Sequence, residues 1–356
     1  MGMSDPTWPQ ILKQLLAGED MSREQSSWAM RQIMKGDASE SQMGAFMIAL
    51  RAKGETVQEL AGLVDVMLEN AVLLETGNDA VDIVGTGGDM FGTVNISSMA
   101  SIVASAAGVP VLKHGSRSAS GKTGASEMLE VLGIRLDLSP QQVAKVFKQT
   151  GITFFFAPVF HPAMRHVAPV RKQIGIPTTF NFLGPLANPV QPVATALGVS
   201  DKAGAPLMAR ELSARGRSGI VFRADDGMDE LSTTSENSIW EVSGGEIREH
   251  RVSAADLGLN SSTIEQLLGG DARHNAEVAN DLFRGASFKN SDQIKDVVAL
   301  NSAAGLVAHD LAKRPEEIEK DIVERLREAF TRSYEAIESG AAQAKLEEWT
   351  KASHSA

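Results

Sequence analysis

The chain of 356 residues contains no cysteine. There is therefore no disulfide framework, no thiolate nucleophile and no cysteine-ligated metal. No stretch of about 18 uninterrupted apolar residues occurs, so no membrane span is expected. The start, Asp5-Pro6-Thr7-Trp8, does not lead from a basic into an apolar region, so no secretory signal is expected and cytoplasm is the default address. Positive charge is in deficit: 34 Lys and Arg stand against 45 Asp and Glu, a net charge of −11. A nucleic-acid backbone would need clustered Lys and Arg and is not an expected partner, whereas a small phosphorylated ligand needs only a local site. Internal repeats and low-complexity tracts are missing too. What is present, 43% hydrophobic and 22% charged residues, is ordinary globular composition over a length that fits two domains, or one large domain with an accessory part.

Residues 1 to about 75 read as helices only. Ser22 with Gln25, Ser39 with Gln42, and Thr56 with Glu59 have capping-box spacing, in which hydroxyl and amide or carboxylate satisfy each other's backbone N–H groups. Met43, Phe46, Met47 and Leu50 recur at helical spacing, then Leu60, Leu63, Val64 and Met67. Such methionine stripes read as packing, and a spare apolar face here would serve as a dimer surface. From residue 79 short apolar runs alternate with helices. Strands are expected at 80–84, 109–112, 152–156, 194–199 and 219–222, followed by a hairpin at 239–252 turning at Gly244-Gly245. This alternation predicts an α/β fold with a mostly parallel central sheet flanked by helices, beside a small all-helical domain. The proline-rich stretch 157–190 reads as a connector or hinge carrying a basic island of His161, Arg165, His166, Arg171 and Lys172. Helices are expected at 275–283, 293–311 and 315–339, and the charge runs 316–321 and 345–351 read as solvated faces.

The chemistry-bearing residues follow strands. Gly85-Thr86-Gly87-Gly88-Asp89 leads through Thr93 to Asn95-Ile96-Ser97-Ser98, where a helix begins. Glycines let backbone approach a ligand, and free N–H groups with a helix N-terminus favour an anion there. Lys113, Arg117 and Lys122 bring positive charge to a loop with Ser118, Ser120 and Thr123. Asp225-Asp226-Gly227-Met228-Asp229-Glu230 brings carboxylates after another strand. Amides, hydroxyls, a cation and adjacent carboxylates are what a Mg²⁺–polyphosphate ligand needs, since Mg²⁺ takes hard oxygen donors.

Together these stretches resemble anthranilate phosphoribosyltransferases. The likeness is carried by the glycine stretch with Thr93 and Asn95-Ile96-Ser97, by Lys113-His114-Gly115, and by Gly227-Met228-Asp229-Glu230. Arg171, the run from Phe180 through Asn181 to Pro189, and the residues from Gln42 to Thr56 also carry it, over nearly the whole chain. The resemblance implies a small helical domain (1–77 plus approximately 165–192) making a homodimer contact, and a large domain (78–164 plus 193–356) holding the substrates. It implies transfer of phosphoribose from phosphoribosyl pyrophosphate (PRPP) to anthranilate, a step of tryptophan biosynthesis. PRPP would lie on Gly85, Gly88, Asp89, Thr93, Asn95, Ile96, Ser97 and Ser98, and on Lys113, His114, Gly115, Ser116, Arg117, Ser118, Ala119, Ser120, Gly121 and Ala125. Ser97, Asp229 and Glu230 would hold two Mg²⁺ ions. Gly85, Ser116, His161 and Arg171 would face anthranilate, with Lys113 and His114 as catalytic residues.

The chain departs from the family's pattern at three places. Ser116 stands where Asn is usual, Gly124-Ala125-Ser126-Glu127 where Gly-Ser-Ala-Asp is usual, and Arg223-Ala224 where His-Gly is usual. Three other readings stay open on the sequence: a paralogue using another aromatic acceptor, a nucleoside phosphorylase of related fold, and a catalytically weak binding protein on the same scaffold.

Overall fold

The first helices begin where their caps place them. In the computed structural model, which describes residues 6–117 and 123–356, Ser22, Ser39 and Thr56 each accept from a backbone N–H three residues on, with Gln25, Gln42 and Glu59 reaching back. These boxes start helices Arg23–Lys35, Glu40–Lys53 and Val57–Glu69, and Trp8–Leu16 precedes them. Phe46, Met47, Leu50, Leu60, Leu63 and Val64 are fully buried between them, so the methionine stripe packs a core.

Seven strands follow: β1 Val81–Gly85, β2 Val111–Gly115, β3 Ile152–Phe156, β4 Ala194–Gly198, β5 Ser218–Ala224, β6 Asn237–Ser243 and β7 Glu246–Val252. They form one sheet in the order β3-β2-β1-β4-β5-β6-β7, with β1 to β5 parallel and β6 and β7 antiparallel at one edge. The parallel strands are short, apolar and buried on both faces, as helices on either side require. Alternation sorts their side chains. Val81, Ile83, Ala196 and Ile220 face one core with helices Ile96–Ala106, Ser291–Lys313, Ile322–Glu338 and Ala341–Ser355. Leu197, Val199, Val221 and Val242 face a second core, which joins helix Gly204–Ala214 to the N-terminal helices and to Val167, Val170, Phe180 and Leu183. The parallel strands end along one edge, at Gly85, Gly115, Phe156, Gly198 and Ala224.

Three expectations are corrected. Residues 157–190 are not an open connector: they hold helices Ala157–Phe160, Ala168–Ile174 and Phe180–Leu186 and a 3₁₀ turn, Pro162–His166. Pro158, Pro162 and Pro169 sit in first turns, where the missing N–H costs nothing. The single helix expected at 315–339 is a 3₁₀ turn, Pro315–Glu319, followed by Ile322–Glu338, whose cap Asp321 accepts from the Glu324 N–H. Within the former, Glu317 is buried against Lys320 and Arg314 rather than solvated. The charge run 345–351 is a solvated face as expected: it belongs to helix Ala341–Ser355, whose Glu347, Glu348 and Lys351 are exposed while Leu346 and Trp349 beneath them are buried.

Trp349 is only 1% exposed. Trp349→Ala is therefore expected to lower unfolding free energy by about 3–5 kcal/mol, the cost of emptying a large buried side chain. Urea denaturation checks this; a loss under about 1 kcal/mol would mean that the helix is not anchored there.

Candidate active site

The ends of β1 and β2 and the loop after β5 meet at a cavity of about 560 Å³. Register decides how. Gly85 of β1 and Gly198 of β4 are paired neighbours, and Asp229, in the loop after β5, lies across both. A methyl group at Gly85 would overlap the Asp229 carboxylate, and one at Gly198 its backbone carbonyl. Two side-chain-free positions thus form a notch for Asp229, whose Oδ2 accepts from the Gly87 N–H at 2.7 Å.

Asp89 and Glu230 join it. Carboxylate oxygens of Asp89, Asp229 and Glu230 lie within 4.8 Å of one another. Burial, with ionised Asp89 next to it, pushes Asp229 up to about 7 against the opposing Gly87 hydrogen bond. Burial and both neighbouring carboxylates raise Glu230 well above its ordinary value, and burial raises Asp89. Glu230 Oε2 is buried without a hydrogen-bond partner. Three crowded acidic groups with spare hard-oxygen donors fit a divalent cation such as Mg²⁺. Asp225 and Asp226, from the same run, turn away to Arg251 and Thr234.

β2 extends further than the sequence suggested and carries Lys113 and His114 inside the sheet. Lys113 is buried; its Nζ donates to the Ile83 carbonyl at 2.6 Å and to Ser97 Oγ at 3.3 Å. Burial pulls its pKa down to about 8, opposed by Asp82 and Glu230. Asp82, on β1, accepts from the His114 N–H and from Asn188, and burial raises it to about 6. Burial, with His161 beside it, pushes His114 down to about 3, so the ring is neutral near pH 7. Its Nδ1 meets the Gly184 carbonyl at 3.0 Å.

Gly85, Gly88, Thr93, Asn95, Ile96 and Ser97 line the cavity. The N-terminus of helix Ile96–Ala106 is at its wall, so the positive end of the helix dipole faces inward. Gly115, Ser116, Arg117 and Ala125 line it as well, with Arg117 tied to Glu130 and lying over the Phe156 ring. Two expected contacts are set back from the wall. Ser98 is buried in its helix with Oγ unpartnered. His161 is buried behind His114, ring centroids 5.1 Å apart, with its Nε2 against the Ala187 carbonyl at 2.8 Å. Ser118, Ala119, Ser120, Gly121 and Lys122 lie outside the described residues.

Of the basic island only Arg171 reaches the cavity. Burial lowers its pKa, and among the described residues no carboxylate pairs with it. Sequence reasoning missed one wall altogether. Leu268, Gly269 and Gly270 line the cavity through a bridge between Leu268 and Thr93, and Asn275 Nδ2 donates to Asn95 Oδ1 at 2.8 Å. The Gly269-Gly270-Asp271 turn before a helix was the available signal.

With this geometry in view, comparison with known proteins is specific. Residues 9–71 match the glycosyl transferase family helical bundle domain, and residues 77–343 its a/b domain. An anthranilate phosphoribosyltransferase of Leifsonia xyli is 51% identical over 97% of this chain and 98% of its own. The chain belongs to the anthranilate phosphoribosyltransferase family. The crystal structure of the Thermus thermophilus enzyme is 36% identical, with a TM-score of 0.86 over 97% of this chain and 99% of that one. The Saccharomyces cerevisiae enzyme in complex with PRPP and Mg is 26% identical, with a TM-score of 0.84 over 99% of each chain.

Within an anthranilate phosphoribosyltransferase the three sequence departures now have locations. Ser116 and Ala125 are on the cavity wall. Ser126 does not stand in for a hydroxyl at 125, because it is fully buried and off the wall. Arg223 is off the wall too, its Nε donating to the Ser200 carbonyl at 2.9 Å. The notch yields a direct test. Gly85→Ala is expected to dislodge Asp229, cost about 1–3 kcal/mol of stability through overpacking, and abolish the rise in Tm on adding Mg²⁺. A Mg²⁺-dependent rise equal to wild type would show that Asp229 does not need the notch.

Proposed function

We propose that this chain joins PRPP to anthranilate at the cavity, giving N-(5-phosphoribosyl)anthranilate and pyrophosphate, with the carboxylate cluster as the diphosphate end of the site. The observation that carries the reading is the cluster of Asp89, Asp229 and Glu230 beside the Gly87 N–H, in the same cavity as the start of helix Ile96–Ala106. Asp229 and Glu230, with Ser97, would hold two Mg²⁺ ions, and Asp89 completes the acidic group. Bound Mg²⁺ supplies countercharge for the diphosphate and for the negative charge it gains on leaving. Ser97 is already held by Lys113, so that the ammonium sits between Ser97 and the backbone of β1.

The reaction forms a bond between the anthranilate nitrogen and C1 of the ribose, breaks the C1–oxygen bond to pyrophosphate, and releases one amine proton. No side-chain nucleophile is needed. The chain's work is to hold both substrates in line and to oppose charge on the leaving group. Lys113 remains partly or wholly protonated near neutral pH, since its pKa of about 8 is sustained by Asp82 and Glu230. His114, neutral, presents an unpartnered Nε2 in the buried wall and acts by shape and hydrogen bonding rather than as a charged acid. Arg171, on the cavity wall, would pair with the anthranilate carboxylate; charge-assisted and planar, that contact fits a guanidinium.

The reading extends to the wider molecule. The helical residues 1–77 with approximately 165–192 would form the small domain and the homodimer contact, and the enzyme would be cytoplasmic. No helix of the described residues is long and apolar enough to cross a membrane.

Loss of anthranilate fluorescence in the presence of PRPP and Mg²⁺ tests the activity. Absence of turnover with PRPP binding retained would overturn it. Arg171→Ala is expected to raise KM for anthranilate about tenfold or more, the size of one charge-assisted hydrogen bond, and to leave KM for PRPP near wild type. Asp229→Asn should show the opposite pattern. An unchanged anthranilate KM in Arg171→Ala would remove that residue from the acceptor site.

A further inference from the structure

The stretch Lys53-Gly54-Glu55-Thr56 contains one residue that neither helix capping nor the reaction explains. Thr56 caps helix Val57–Glu69, and Lys53 pairs with Asp20 and Glu59. Glu55 does neither. Its side chain is only 3% exposed, and it is not on the cavity wall. Its Oε1 accepts from the hydroxyl of Thr179 at 2.6 Å, and its Oε2 from Arg51 at 3.1 Å. Arg51 also pairs with Asp201, in the loop after β4, and lies over the Phe182 ring at 5.4 Å.

Thr179 is fully buried at the start of helix Phe180–Leu186. A helix of seven residues has few internal hydrogen bonds, so its orientation is set by what holds its ends. Phe180 and Asn181, the next two residues, are on the cavity wall. Asn181 Oδ1 accepts from the Thr178 N–H at 3.1 Å and from Arg171 at 3.3 Å. A line of contacts thus runs from Glu55 through Thr179 and Asn181 to the guanidinium. It lies against the core shared by the N-terminal helices, Val170 and Phe180.

We infer that Thr179, anchored by Glu55, is a positioning residue for the acceptor: it fixes the turn that carries Asn181 and thereby aims Arg171. This rests on the reading of Arg171 as the group that binds the acceptor carboxylate. Glu55 and Thr179 do not touch substrate. They convert the packing of the N-terminal helices into the direction of one side chain, and a displacement of about 1 Å there is enough to weaken productive binding. The line from Glu55 through Thr179 and Asn181 to Arg171 includes none of Asp89, Asp229 and Glu230.

Steady-state kinetics of the full chain separates positioning from general support of the fold. Thr179→Val removes the hydroxyl at nearly constant volume. It is expected to raise KM for anthranilate about three- to tenfold while KM for PRPP stays within about twofold, the scale of coupling through one hydrogen bond. Thr179→Ser should restore wild-type KM. Glu55→Gln, which keeps an oxygen at the site but loses the charge, should raise the anthranilate KM in the same selective way, and is read in place of Thr179→Val if that variant does not fold. In an Arg171→Ala background the effect of Thr179→Val should fall below about twofold, because the group being aimed is gone. Equal rises in both KM values, no rescue by serine, or full additivity with Arg171→Ala would each overturn the inference. The two failures are distinguishable: if Arg171→Ala raises the anthranilate KM and Thr179→Val does not, only the positioning role is lost, whereas no effect of Arg171→Ala removes the reading beneath it.

Discussion

The contact on which the site depends is that of Asp229 with the paired glycines Gly85 and Gly198. A carboxylate can reach the end of β1 from the loop after β5 only if the intervening β4 presents no side chain there. With both positions bare, Asp229 settles over the two strands, takes the Gly87 N–H, and brings Glu230 and Asp89 to within 4.8 Å. The arrangement is unfavourable in isolation. Buried like charges raise one another's pKa, as at Asp229 and Glu230, and only a cation or a proton relieves them. The fold therefore holds in place a group of ligands whose stabilisation comes from outside the chain.

Charged residues reach the cavity from two parts of the fold. Carboxylates and Lys113 belong to the strands and loops of the large sheet, while Arg171 belongs to a short helix packed into the core of the N-terminal helices. Arg171 and the carboxylates thus reach the one cavity from different parts of the fold.

Much of this was legible in the sequence, and the reasons it stopped being legible are physical. The strands announced themselves because buried parallel strands are continuous apolar runs, and the caps at Ser22, Ser39 and Thr56 because their chemistry is local. The meeting of Gly87 with Asp229, 142 residues apart, is not local. The residues offered two signals there, each weak alone; the needs of a Mg²⁺–polyphosphate ligand joined them, and the family likeness strengthened the link. Short helices at 157–190 were hidden because proline, which breaks a long helix, is harmless in the first turn of a brief one. At 345–351 the charges masked Leu346 and Trp349, whose spacing of three marks a buried face. The wall at Leu268 to Gly270 and Asn275 contributes mainly backbone, a glycine turn and one amide, none of which reads as chemistry in a sequence.

The central claim is that these carboxylates form a cation-dependent diphosphate site, and calorimetric titration of PRPP tests it most directly. With Mg²⁺ present PRPP should bind; after chelation of divalent cations the affinity should fall by about 100-fold or more, because the diphosphate would then face three acidic groups unscreened. Undiminished PRPP binding in the presence of a chelator would contradict the account.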